Sequence, residues 1–137
     1  MMHIAIIRKK YLDRILSGSK CIECRLTKQK RAPFGQIKTG ETIFLKQSSG
    51  SYRAVAKAGR VEFKSDLTSG RIRDIRREFA EELEGDDDFW ESKMDCSYLT
   101  LIWLEDVMPT NLGPTIAPLQ GRAWVTFQDV EIPINAK

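Results

Sequence analysis

The eight residues 18–25, Gly-Ser-Lys-Cys-Ile-Glu-Cys-Arg, constrain the fold more than any other part of the chain. They follow a segment with helical periodicity, and Gly18 suits a helix end because glycine adopts the left-handed conformation without strain. The remainder predicts a strand, in which neighbouring side chains face opposite ways. We therefore expect Ile22 to enter the core and Glu23 and Arg25 to point outward, with Lys20 at the bend. The stretch predicts a charged turn between a helix and a strand.

The hydrophobic pattern on either side of this turn predicts short strands and helices in alternation. Strands are predicted at 3–7, 42–47, 52–63, 98–104 and 123–127, and 98–104 is so continuously apolar that we expect it to be central. One helix is predicted at 9–17, a second after the capping residues 65–68 and up to Gly85, and a third beginning at Asp86-Asp87-Asp88. Residues 108–121 predict a long loop and 129–137 a short tail. At 137 residues, the chain predicts a single α+β domain, 1–137.

Charge is distributed unevenly along the chain. Residues 1–64 carry 15 Lys and Arg against 4 Asp and Glu, a net charge of +11, whereas residues 65–137 carry 7 against 15, a net charge of −8. The basic half surrounds the 18–25 turn and favours a surface for an anion such as a phosphate. The alternative is that the two halves fold together and neutralise each other.

Several classes of protein are disfavoured by the composition. No apolar run approaches the roughly 20 residues of a membrane span, and the beginning of the sequence lacks the pattern of a secretory signal. Three cysteines do not predict a disulfide framework. We expect a cytoplasmic protein that does not enter membranes, and the sequence predicts no particular oligomeric state.

A Cys-x-x-Cys pair, Cys21 and Cys24, raises the question of metal binding. Together with Cys96 and His3 it would supply four ligands for one zinc ion. On a strand, however, Cys21 and Cys24 face opposite ways, and the usual second ligand pair is missing. We therefore expect buried thiols, with no metal and no cofactor.

The spacing Gly-x-Lys-x-x-Glu-x-Arg, held by Gly18, Lys20, Glu23 and Arg25, resembles the signature of the ASCH family (activating-signal-cointegrator homology). The order of the predicted elements, a strand after Gly40, and the Glu84-Gly85 step followed by Trp90 are also similar to that family. The resemblance implies a small PUA-like β-barrel of about five to six strands with flanking helices. It also implies binding of RNA or a modified nucleoside.

Two catalytic alternatives remain open. One, which the resemblance implies, is an amidohydrolase acting on N-acetylated cytidine or a related nucleoside amide. The other is a ribonuclease, for which the charged residues of the cleft could supply a base and a phosphate clamp. In the hydrolytic members, the lysine that matches Lys20 works with a threonine three residues later and with a glutamate from a later segment. Here Glu23 occupies the threonine position, so the hydroxyl nucleophile is absent and Glu23 could act only as a general base. Glu78, Glu81 and Glu82 are candidates for the later glutamate by position.

These arguments define the candidate site. Lys20 and Glu23 are the candidate catalytic residues. For stacking on a base we favour Trp124, which lies beside Arg122 after the Pro/Gly-rich loop. The predicted ligand-binding residues are Gly18, Lys20, Glu23, Arg25, Arg8, Lys9 and Trp124.

Overall fold

A computed structural model describes residues 1–128 of the chain, so the predicted tail 129–137 lies outside the described residues. Six strands and four helices occur within that range. In chain order they are β1 (Met2–Ile7), α1 (Lys9–Ser17), β2 (Ile22–Thr27), β3 (Thr42–Gln47), β4 (Tyr52–Lys64), α2 (Ser69–Glu78), α3 (Ala80–Leu83), α4 (Asp87–Ser92), β5 (Tyr98–Pro109) and β6 (Trp124–Phe127).

The strands form one mixed sheet in the order β2-β5-β4-β3-β1-β6. β1 and β3 are parallel, and every other neighbouring pair is antiparallel. The long strands β4 and β5 shift register twice, between Val55 and Lys57 and between Ala58 and Val61. Such irregularities increase local twist, and the sheet curls into a half-barrel. This confirms the predicted α+β, PUA-like fold.

The apolar segment 98–104 lies in β5, one strand from the edge of the sheet rather than at its centre. Its central residues 99–102 are nevertheless buried, and helices α2–α4 pack on this end of the sheet. β5 also continues to Pro109, since Glu105, Met108 and Pro109 pair with β4. The predicted loop at 108–121 therefore begins later than expected, because strand pairing rather than local hydrophobicity determines where β5 ends.

Two apolar clusters fix the helices on the sheet. In the first, Leu12 and Ile15 of α1 pack with Ala5, Ile43 and other residues of β1, β3 and β4. Burying a side chain of this size stabilises the fold by about 1.5–3 kcal/mol. In the second, α2–α4 pack on β2 and β5; its fully buried members include Ile22, Ile72, Leu83, Trp90 and Leu99.

The segment 69–83 forms two helices, where the sequence pattern predicts one. Thr68 caps α2 by accepting a hydrogen bond from the backbone N–H of Arg71, as expected of the 65–68 segment. α2 ends at Phe79, whose φ of −116° and ψ of 24° leave the helical region. The Phe79 ring lies edge-on to Trp103, 5.5 Å between centroids, and this contact with β5 accompanies the break.

Two positions with positive φ end the helices beside the 18–25 turn. Gly18 ends α1 with φ of 89°, as predicted. Glu84, not Gly85, ends α3 in the left-handed conformation. Gly85 is needed for space instead, because a Cβ there would lie 2.6 Å from Nε1 of Trp90. Of the helices that the structure describes, none has the length and apolar character needed to cross a membrane.

Candidate functional site

A cleft of about 320 Å³ lies where the two ends of the curled sheet approach each other. β2 contributes one side, β1 and Ala123 the other, and α1, α3 and α4 close the back. Arg25 bridges the two sides: its Nη2 donates to the Ile6 carbonyl (3.0 Å) and its Nη1 to the Ala123 carbonyl (3.2 Å). The site is therefore built at the seam of the half-barrel.

Glu23 is the buried carboxylate of this cleft. Its residue is only 6% exposed, so the prediction that Glu23 points outward is wrong. Curling of the sheet brings this face of β2 towards α1 and β1, which a local pattern does not reveal. Nε of Arg25 donates to Oε2 of Glu23 (2.8 Å), and Nζ of Lys20 lies 3.7 Å from Oε1. A buried carboxylate needs such partners to offset its desolvation.

Lys20 is buried as well, at 5% exposure. It precedes β2, and its Nζ donates to the carbonyls of Ile22 and Leu83, each at 2.7 Å. These bonds join the start of β2 to the end of α3. An ammonium has three protons, and two of those of Lys20 are donated to the backbone. The third lies on the side of Glu23 and of the Tyr11 ring, whose centroid is 5.6 Å from Nζ. Lys20 therefore both stabilises the site and lines it.

Trp124 lies behind Arg25 and is not among the residues that line the cleft. It is 6% exposed, and the guanidinium of Arg25 sits 5.2 Å from its ring centroid. Its Nε1 donates to Nδ1 of His3 (3.1 Å). This position does not support the predicted stacking role, because Arg25 covers the ring on the side of the cleft. The tryptophan instead supports the arginine.

The other predicted site residues divide between the cleft and its surroundings. Arg8 lines the cleft together with Lys20, Glu23 and Arg25, whereas Gly18 and Lys9 do not. Gly18 ends α1, and Lys9 is exposed and paired with Asp13 at 2.8 Å. None of the candidate later glutamates lines the cleft; these are Glu78, Glu81 and Glu82.

Sequence reasoning missed part of the aromatic wall. Tyr11, Phe89 and Trp90 line the cleft, with Phe89 packed edge-on against both of the others. Neither Tyr11 nor Phe89 is among the predicted site residues. Lys93, just after α4, also lines the cleft and was missed, since nothing in its local sequence distinguishes it from a surface lysine.

The bases of α1 are largely neutralised by the acidic run after α3. Lys10 and Arg14 contact Asp86 at 2.8 and 3.0 Å, and Arg8 lies 3.9 Å from Asp88. Hydrogen bonds from Lys10 and then Arg14 hold the pKa of Asp86 below its ordinary value. At this helix the basic and acidic halves of the chain therefore neutralise each other, as the alternative interpretation of the charge pattern expects.

The thiols offer little reactive chemistry at the cleft. Burial raises the pKa of Cys24, a lining residue, to about 12, so its thiol stays protonated at neutral pH. The expectation of buried thiols is wrong for Cys21, which is exposed because it precedes β2, and holds for Cys24 and Cys96. Within residues 1–128, no group of three or more His, Cys, Asp or Glu side chains is placed to hold a metal ion. The expected absence of a metal stays a prediction.

The geometry defines an α+β domain of the PUA-like class, with a charged cleft at the seam of its half-barrel. Within this class the chain has the fold of ASCH domains, as solved structures show. An ASCH protein from Zymomonas mobilis superposes with a TM-score of 0.67 at 11% identity, covering 93% of this chain and 88% of that one. A point mutant of the same protein gives 0.68 at 13% identity, covering 93% and 89%.

A protein from Enterococcus faecalis V583 is more distantly similar. Its TM-score is 0.52 at 13% identity, and the match covers 77% of this chain and 76% of that one. No family model matches the sequence, and no curated protein matches it. At these identities the similarity shows the fold alone.

Proposed function

We propose that this protein binds a nucleoside, either free or within RNA, in the cleft at the seam of the sheet. The observation that carries the proposal is the buried carboxylate of Glu23, held between Lys20 and Arg25 on the wall of an aromatic cleft. The ASCH-like fold is in keeping with such a ligand, since the resemblance implies RNA or modified nucleosides.

The carboxylate suits the edge of a nucleobase. An ionised carboxylate is an acceptor only and offers about four lone-pair sites, of which the Arg25 hydrogen bond uses one. Exocyclic amino groups and protonated ring nitrogens of bases are donors that match the remaining sites. Because Lys20 and Arg25 fix the side chain, little rotamer entropy is lost when a base binds.

The remaining walls suit the faces of a base and its sugar. Phe89 is half-buried at the cleft, and base–aromatic stacking contributes about 1–3 kcal/mol per base. Leu83, Tyr11 and Trp90 supply apolar surface behind it. The volume of about 320 Å³ lies at the small end of ligand sites, which fits one nucleoside rather than a larger molecule.

Hydrolysis of an acylated cytidine is the second candidate. It is favoured by the shared cleft position of Lys20 and Glu23, with Nζ and Oε1 3.7 Å apart. Glu23 would act as general base on a water, because a threonine nucleophile is absent. Two observations argue against it: Lys20 is committed to two backbone carbonyls, and none of the later glutamates lines the cleft.

Titration calorimetry with a panel of nucleosides tests the proposal. The panel contains adenosine, cytidine, guanosine, uridine and N4-acetylcytidine, and the proteins are the parent, Glu23→Gln and Phe89→Leu. We expect at least one nucleoside to bind the parent. Affinity should fall about tenfold or more in Glu23→Gln, because a hydrogen bond to a charged acceptor contributes about 1.5–3 kcal/mol. Phe89→Leu should weaken binding through the lost ring.

A matched control separates the cleft from general charge effects. Glu62→Gln removes the same charge on β4, beside Arg60 and away from the cleft, and should bind like the parent. Absence of binding by every nucleoside, both free and in its phosphorylated or dinucleotide form, or unchanged affinity in a folded Glu23→Gln, would contradict the proposal. Acetate release from N4-acetylcytidine that disappears in Glu23→Gln would favour the second candidate.

A further inference from the structure

A second cleft of about 330 Å³ adjoins the first. The two share four lining residues, Leu26, Thr27, Ser92 and Lys93, so they lie side by side. The second cleft is lined further by the β2–β3 loop, through Lys28, Gln29 and Arg31. It thus extends from the Glu23 cleft towards the basic loop that follows β2.

The second cleft is electropositive. Three of its lining residues are cations, Lys28, Arg31 and Lys93, and none is acidic. Lys28 is paired with Asp95 at 2.9 Å, but both side chains are largely exposed, at 67% and 65%, so this pair is easily exchanged for another partner. Within residues 1–128, Arg31 and Lys93 form no ion pair. The cleft therefore offers two cations whose charge is not offset by a contacting carboxylate.

The basic loop is also held in place. Oγ1 of Thr27 donates to the Gln29 carbonyl (2.7 Å), and Nη2 of Arg31 donates to Oε1 of Gln29 (3.2 Å). This bond orients the Arg31 guanidinium while leaving most of its five N–H donors available. A guanidinium with free donors beside an ammonium matches the oxygens of a phosphate ester.

We propose that the second cleft is a phosphate subsite, so that the ligand is a nucleotide rather than an unphosphorylated nucleoside. This inference rests on the proposed function. With a base against Glu23 and Phe89, the shared residues Thr27, Ser92 and Lys93 lie beside the sugar, and the phosphate reaches Lys28 and Arg31. Both a mononucleotide and an RNA strand carry this chemistry.

Calorimetry with matched ligands tests the subsite. Each nucleoside of the panel is compared with its 5′-monophosphate, its 3′-monophosphate and a dinucleotide that joins two copies through one phosphodiester. For the parent, we expect at least one phosphorylated form to bind about tenfold more tightly than its nucleoside, as charge-assisted hydrogen bonds to phosphate would give. A gain for a monophosphate indicates a terminal phosphate, whereas a gain confined to the dinucleotide indicates an RNA strand.

The double variant Lys28→Gln/Arg31→Gln should lose most of the affinity that the phosphate adds in the parent. Both side chains are exposed, so folding should be preserved. The control Lys38→Gln/Lys57→Gln removes the same charge from exposed positions outside both clefts and should keep the gain. The phosphate subsite is wrong, while the proposed function stands, in either of two cases. In the first, nucleosides bind and their phosphorylated forms bind no more tightly; in the second, the gain in affinity from the phosphate persists in Lys28→Gln/Arg31→Gln. If no ligand of the panel binds, both are wrong.

Discussion

Lys20 illustrates how one buried cation can organise a site. Its ammonium satisfies the carbonyls of Ile22 and Leu83 and faces Glu23, and it so joins the start of β2 to the end of α3. Its own backbone N–H donates to the Arg14 carbonyl at 3.0 Å. A lysine in this position is expected to contribute to stability as well as to the charge of the cleft.

Replacing Lys20 with methionine keeps the apolar stem and removes the ammonium. Two buried carbonyls would lose their donor and Glu23 one of its two cations. We therefore expect the free energy of unfolding to fall by about 3 kcal/mol. Urea denaturation measures this free energy. The control is Lys57→Met, at an exposed position of β4, whose free energy of unfolding should lie within about 0.5 kcal/mol of the parent's. An equally small change for Lys20→Met would show that the carbonyls find other donors.

At the scale of elements, Asp86 joins α1 to the segment between α3 and α4. It accepts hydrogen bonds from Arg14 and pairs with Lys10, and Arg14 also donates to the Glu84 carbonyl (2.8 Å). Since Tyr11 of α1 and Phe89 of α4 both line the cleft, these contacts set the width of its aromatic side.

The lowered pKa of Asp86 makes this junction pH-dependent. Because the folded-state pKa lies below the unfolded value of about 3.9, the stabilisation is present above the unfolded pKa and is lost as the pH falls through the folded one. Asp86→Asn should therefore lower the urea midpoint at pH 7, and its difference from the parent should shrink below about pH 4. Asp106→Asn, exposed on β5, is the control. A difference that persists unchanged at lower pH would exclude the carboxylate charge as its cause.

Local periodicity predicts where the helices and strands lie better than it predicts how they contact one another. The 9–17 helix with Gly18 at its end, and most strands, follow from side-chain patterns with periods of 3.6 and 2. The break at Phe79 and the length of β5 do not follow from these patterns. The ring of Phe79 contacts Trp103, which is distant in sequence, and β5 continues for as long as it pairs with β4.

The same distinction applies to the site. Lys20, Glu23 and Arg25 were found because the motif is local, and they do meet in one cleft. The inward orientation of Glu23, the aromatic wall and Lys93 could not be found, because they require α4 and β1 to be brought against β2. Trp124 shows the opposite error: its sequence position suggested an accessible ring, but Arg25 covers it.

At the scale of the whole molecule, the site lies in a gap between the two ends of the curled sheet. Within the described residues, β2 pairs with neither β1 nor β6. Arg25 crosses that gap with hydrogen bonds to Ile6 and Ala123, next to the strand β6. An antiparallel pairing there would have filled the seam with backbone. The gap instead leaves the space of the proposed binding site between the two ends of the sheet.

The most direct test of this account is an NMR titration of the isotope-labelled protein with the tightest-binding nucleoside or nucleotide of the panel. We predict that amide shifts change most at residues 23–27 and 89–93, the segments of β2 and α4 that line the seam. The turn 38–41, just before β3 and outside both clefts, should change little. Saturable shifts centred on that turn, or elsewhere outside the seam, would contradict the account.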